Sequence, residues 1–195
     1  MNYKELLKEM ITEIEKADSI VILRHRKPDP DALGSQIGLS KLIKGAYPEK
    51  AVYVIGDMPE NLKYIGDMDE ITQEVFDHSL VIVVDCSTPR LINCPFEMNV
   101  EEVIKIDHHP NLDPYGNQNY VYEEAAATCE ILTGFFASCE NQIMNHEIAT
   151  YLYKGLLTDT LCFRTSNTTQ HTLEMAAKLA SYNLAIPELN RELFD

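Results

Sequence analysis

The chain has 195 residues, enough for one domain with a sizeable core, and 45% hydrophobic with 24% charged residues sets it apart from disordered proteins. Its formal charge of -15 argues against gripping long nucleic acid through backbone phosphates, but leaves room for small anionic substrates held through cations. The five cysteines (Cys86, Cys94, Cys129, Cys139 and Cys162) are odd in number and contain no CxxC, so they suggest neither a disulfide framework nor a zinc ribbon and suit mostly buried thiols in a reducing compartment.

The N-terminal stretch MNYKELLKEMITEIEKADS is a helical pattern with Leu6, Leu7, Met10, Ile11 and Ile14 on one face. Its lysines and glutamates rule out a signal h-region, and no apolar run approaches a membrane span, so a cytoplasmic location is expected. SIVILRH (19–25) then reads as a buried strand, followed by a helix over 33–44. KAVYVIGD (50–57), LVIVVDC (80–86) and VIKIDHH (103–109) read as further strands, and NYVYEE as a short fifth. The rest turns helical, over 128–137, 142–157 and 168–181, with Tyr151, Leu152 and Leu156 as a core stripe. Strands alternating with helices predict an α/β fold: a doubly wound, mostly parallel sheet, helices on both faces and a helical C-terminal part. The closing IPELNRELFD reads as the start of another helix or of a linker.

Within this frame HRKPDPDALGS (25–35) has two readings. Asp29, Pro30 and Asp31 suit a turn that caps a helix. They also stand, with His25, just beyond a buried strand. The third run ends at Asp85 and the fourth at Asp107, His108 and His109. In an open parallel sheet the carboxyl strand ends share one edge, where ligands bind. EIATYLYKGLLTDTLCF adds Asp159 after an apolar helix. Mixed Asp and His donors suit a hard-to-borderline divalent ion such as Mn²⁺, and six candidates are more than one open catalytic ion needs. Two ions about 3.5–4 Å apart, sharing a carboxylate, perform phosphoester or phosphoanhydride hydrolysis.

HRKPDPDALGS, VVDC, IDHHP and GLLTDTLCF resemble, in order and spacing, the four motifs of the DHH phosphoesterase superfamily, and most closely its bifunctional oligoribonuclease/pAp phosphatase (nanoRNase) branch. The resemblance covers about residues 25–163 and implies a Rossmann-like DHH domain. It implies that His25, Asp29 and Asp85 hold one Mn²⁺ and that Asp31, Asp85, His108 and Asp159 hold the second, with Mg²⁺ or Co²⁺ as substitutes. Asp85 bridges the ions, Asp107 orients the loop or a neighbouring histidine, and His109 faces the phosphate rather than a metal. Arg164 and Asn167 are candidate substrate contacts. Gly34 and Ser35 let the following helix begin close to the site. Thr128 is read as an N-cap, Arg24 and Arg26 as surface or supporting residues, and His78, His146 and His171 as solvent-facing.

The implied substrate is a short RNA or phosphorylated nucleotide such as pAp, with neither long nucleic acid nor membrane as partner and a homodimer compatible with the sequence. Exopolyphosphatase or pyrophosphatase activity is the alternative chemistry, and a non-catalytic nucleotide- or metal-binding module the alternative class. Members of the branch carry a second, glycine-rich substrate-binding domain. This chain has no GG pair, so residues 1–185 are expected to form the DHH catalytic domain and 186–195 to begin a linker toward a domain absent from this chain.

Overall fold

The computed structural model describes residues 3–137 and 143–194, with side chains from residue 8 onward. Cys139, Gln142 and the side chains of Leu6 and Leu7 therefore lie outside the described residues. Five parallel strands, β1 (Ser19–Leu23), β2 (Ala51–Val54), β3 (Leu80–Val84), β4 (Val103–Asp107) and β5 (Gln118–Val121), pair in the order β2-β1-β3-β4-β5. The first and third are apolar, largely β-branched runs because both of their faces are buried; the fourth is as buried but carries Lys105 and Asp107 on one face. Each is shorter than the apolar run suggests. His25 lies beyond β1, joined to Ile92 by an isolated bridge.

The helices are α1 (Tyr3–Lys16), α2 (Pro30–Ala46), α3 (Gln73–Asp77), α4 (Thr128–Ala137), α5 (His146–Asp159), α6 (Gln170–Ala180) and α7 (Ile186–Phe194). None among the described residues is long and apolar enough to cross a membrane. They cover the sheet unequally. Ile20, Ile22, Ile82, Val84, Ile104 and Ile106 point into a large core shared with α1, α2, α4, α5, α6 and α7. Val21, Leu23, Val81 and Val83 point the other way, to a small cluster closed by Phe76 of α3 and by loops.

Helix α2 starts three residues earlier than its apolar pattern. Asp29 caps it, accepting from Ala32 N at 2.9 Å, and Pro30 suits its first turn. Gly34 thus does not start the helix. It lies in the second turn, where an added Cβ would overlap the Tyr151 carbonyl oxygen of α5. Gly155 of α5 likewise lies where a Cβ would strike Cys129 Sγ. These two positions let α2, α4 and α5 pack close beneath the strand ends. Tyr151 itself is half-buried, whereas Leu152 and Leu156 are core. The C-terminal segment forms α7, which buries Leu189 and joins α5 through Lys154 Nζ to Glu192 Oε1 at 2.7 Å.

Candidate metal centre

Above the carboxyl ends of β1, β3 and β4 the three loops meet the end of α5. His25 follows β1, Asp29 caps α2 and Asp31 occupies its first turn. Asp85 follows β3 with a left-handed backbone (φ 51°). Asp107 ends β4, with His108 and His109 beyond it, and Asp159 ends α5. Their donor atoms gather as His25–Asp29–Asp85 and as Asp31–His108–Asp159, each set within 4.8 Å. Asp85 faces both sets: Oδ2 lies 3.3 Å from His25 Nε2, and Oδ1 lies 3.5 Å from His108 Nε2. His25 Nε2 is 3.7 Å from Asp29 Oδ2, and His108 Nε2 is 3.3 Å from Asp159 Oδ2. A third grouping joins Asp85, His108 and His109.

The histidine rings fall into two kinds. His25 Nδ1 meets the Arg26 carbonyl at 2.7 Å, and His108 Nδ1 meets the Ala125 carbonyl at 3.3 Å. A carbonyl only accepts, so in both rings Nδ1 carries the proton and a neutral ring turns the lone pair of Nε2 toward carboxylates. His108 Nε2 is buried with no hydrogen-bond partner. That is the arrangement of a metal-binding imidazole, oriented from its far nitrogen. His109 is turned around. Its Nδ1 meets the carboxylate of Asp107 at 2.8 Å and its half-exposed ring presents Nε2 outward.

Two contacts set the acidic groups. Asp31 Oδ2 accepts from Thr128 N at 2.7 Å and Oδ1 from Cys129 N at 3.0 Å, so a residue of α2 caps α4. Thr128, expected to cap that helix itself, instead donates its hydroxyl to Asp85 Oδ1 at 3.1 Å. Burial, with Asp85 and Asp159 nearby, pushes the Asp31 carboxyl well above the usual range, and burial also raises Asp159. Burial works against charge on the two inward-facing histidines, yet hydrogen bonds with Asp29 and Asp85 lift His25 to about 10, and Asp159, Asp31 and Asp85 lift His108 to about 10. The cluster demands positive charge, which protons or divalent ions can supply. The lone buried Nε2 and the oxygen-rich, mixed donor set fit a hard-to-borderline divalent ion.

The remaining expectations fare unequally. Of the two roles read for Arg24, surface or supporting, it takes the supporting one. It is fully buried, its guanidinium held by the carbonyls of Asp57 and His25 and by Asn93 Oδ1, and burial lowers it to about 10. Arg26 is exposed, as are His78 and His146. His171 is half-buried and meets the buried Glu130 carboxylate at 2.8 Å. Glu130 Oε2 also accepts from Ala126 N, which steadies the segment whose Ala125 carbonyl orients His108. Arg164 and Asn167 are exposed in the loop after α5, and Arg164 folds back onto the Leu161 carbonyl. Neither joins the cluster by a hydrogen bond or ion pair. Sequence reasoning missed Glu130 and Lys105. A lone basic residue inside VIKID was the signal for the second.

The sequence profile of the DHH family, N-terminal domain, matches residues 19–156. The chain is 38% identical over 187 residues to the Streptococcus mutans protein named "Probable bifunctional oligoribonuclease and PAP phosphatase NrnA", covering 95% of this chain and 60% of that protein. It is 34% identical to the Bacillus subtilis bifunctional oligoribonuclease and PAP phosphatase NrnA, covering 96% and 60%. A crystal structure of an exopolyphosphatase-related protein from Bacteroides fragilis superposes with a TM-score of 0.83 at 22% identity, over 96% of this chain and 59% of that one. The chain thus spans about 60% of the length of these relatives.

Proposed function

This chain belongs to the DHH family, and on that premise we propose that it is the catalytic domain of a two-metal, Mn²⁺-dependent cytoplasmic phosphoesterase that hydrolyses short oligoribonucleotides or dinucleotides and dephosphorylates pAp. The observation that carries the reading is Asp85, one buried carboxylate whose two oxygens face two separate donor sets. His25, Asp29 and Asp85 would hold one ion, and Asp31, Asp85, His108 and Asp159 the other. When bound, such a pair makes water acidic enough to attack near neutral pH and neutralises charge on a phosphoryl group.

The protein's own residues act by position. Thr128 fixes the Asp85 carboxylate from the side. The α4 backbone holds Asp31 at both oxygens, so it needs no rearrangement to bind. His109 turns its outward Nε2 to the substrate and protonates the leaving oxygen, with Asp107 holding the ring from behind. The net charge of -15 favours a small substrate, approached through cations, over a long strand. Residues 1–185 form the catalytic domain in this reading, and α7 leads toward a further domain whose substrate contacts set specificity.

The test is metal-dependent release of mononucleotide from a 5′-phosphorylated RNA dinucleotide, with pAp and pyrophosphate in parallel and Asp85→Asn alongside. Nucleotide hydrolysis that disappears in the variant supports the proposal. Hydrolysis of pyrophosphate alone would replace it with the pyrophosphatase reading, and metal binding without turnover of any substrate would favour a binding module.

A further inference from the structure

Lys105 is fully buried at the centre of β4, with Val83 of β3 and Asn119 of β5 as its register partners. Ile104 and Ile106 on either side enter the large core, so by alternation Lys105 and Asp107 share the other face. A buried ammonium needs polar partners. Here it donates to the Ser87 carbonyl at 3.0 Å and to Asn111 Oδ1 at 3.3 Å, and it lies 4.8 Å from the Tyr115 ring centroid. Tyr115 in turn donates to the Cys86 carbonyl at 2.8 Å. Lys105 thus ties the loop after Asp85 to the loop after His109. Its remaining neighbour is Asp107 Oδ2, 3.4 Å away, a buried oxygen that receives no hydrogen bond.

Asp107 divides its two oxygens. Oδ2 faces the ammonium. Oδ1 accepts from both the backbone N (3.2 Å) and the ring Nδ1 (2.8 Å) of His109. The same Nδ1 is only 3.6 Å from Asp85 Oδ1, so a small rotation could give His109 to the metal-binding group instead.

We propose that Lys105 is a positioning residue for His109: by holding Asp107 Oδ2 it keeps Oδ1 on the His109 Nδ1–H, which bars that nitrogen from the metal centre and leaves Nε2 facing the substrate. The proposal deepens the phosphoesterase reading, and its catalytic part rests on that reading. The tautomer of His109 does not depend on it.

The experiment therefore has two arms. In the first, metal is removed with EDTA and long-range ¹H–¹⁵N spectra of labelled histidine are recorded at alkaline pH, where the ring is neutral. The wild type should show His109 as the Nδ1–H tautomer, and Lys105→Met, in which Asp107 and Asp85 still only accept, should keep that tautomer but shift the Nδ1 resonance as the ring leaves Asp107 Oδ1 for Asp85 Oδ1. Asp107→Asn should also give Nε2–H, because the amide oxygen turns to the ammonium and its NH₂ to the ring. Removing both charges, K105M/D107N, frees the amide to flip and should restore Nδ1–H; this charge-balanced variant serves if K105M does not fold. In the second arm, on the RNA dinucleotide, K105M should lower kcat about 10- to 100-fold with KM and metal affinity within about twofold. The double variant should be no slower than D107N. A wild-type Nε2–H tautomer, a K105M Nδ1 resonance unchanged from the wild type, a double variant that retains Nε2–H, or losses that multiply would each overturn the assignment. If no substrate is turned over, the phosphoesterase reading fails while the spectra still decide the role of Lys105.

Discussion

The two faces of the sheet are built on different rules. Among the described residues one carries thirty buried apolar residues, drawn from the sheet and six helices, of which α2, α4 and α5 approach closely at Gly34 and Gly155. The other carries eight, closed by a five-residue helix and loops, and it holds the buried Lys105–Asp107 pair. Apolar burial at about 25 cal/mol per Å² makes the first face the main source of stability. Hydrogen-bonded charges contribute little net stability but fix orientation. The donor groups sit where the two faces meet, at the strand ends, and draw on both.

The comparison can be broken first on the helical side. Gly34→Ala drives a methyl into the α5 backbone and should destabilise by about 3 kcal/mol, lowering Tm by about 6–12 °C in a thermal melt. An unchanged Tm would mean that close helix approach is not what that face depends on. Arg24→Met tests the polar layer at the strand ends. It leaves the Asp57 and His25 carbonyls without their donor and should cost about 2 kcal/mol. Because His25 shifts with its carbonyl, metal affinity by calorimetry should fall in R24M more than in G34A, despite the smaller loss of stability.

A pH series separates the layers without mutation. His25 and His108 are raised above the unfolded value near 6.5, so their contribution is complete below that pH and disappears as pH climbs through about 10. Asp31 and Asp159 are also raised, which penalises the folded state once they ionise. Both effects share a sign: the metal-free protein should melt a few degrees lower at pH 9 than at pH 6. Divalent ions take the place of the protons, so saturating Mn²⁺ should flatten or reverse that trend. A metal-free Tm that rises with pH would show that the cluster does not control stability. The smallest effect is expected at Leu161, exposed and the first of three consecutive left-handed residues after Asp159, at φ 46°. Leu161→Gly should raise stability by up to about 1 kcal/mol, relieved strain outweighing added unfolded-state entropy.

Much of this is legible in the sequence. Buried parallel strands appear as apolar runs, so β1 and β3 stand out, β4 stands out despite Lys105, and so do the acidic and histidine residues at their ends. The family was readable for the same reason, since its motifs are those strand ends. Both readings of Asp29 hold together, because the residue that caps α2 also turns Oδ2 toward His25. The supporting contacts were not legible. That Asp31 caps α4 depends on residues 97 apart, and nothing local to Thr128 announces a hydroxyl aimed at Asp85. The pairing of Glu130 with His171 spans 41 residues and makes a seemingly solvated histidine half-buried. Local pattern finds donors at strand ends; only packing shows what holds them still.

The Asp31–Thr128 contact also has a meaning during synthesis. At about 5–20 residues per second, roughly 5 to 19 s separate the two partners as the ribosome makes them. By the end of that interval the nascent chain carries α2 and all five strands but neither α4 nor α5. Five of the donors, His25, Asp29, Asp31, Asp85 and His108, are then present, and Asp159, which closes the second set, is not. Loop closure over such distances is slow and cooperative, so the nascent chain passes through synthesis with its ligands unassembled and gains its centre in one late step.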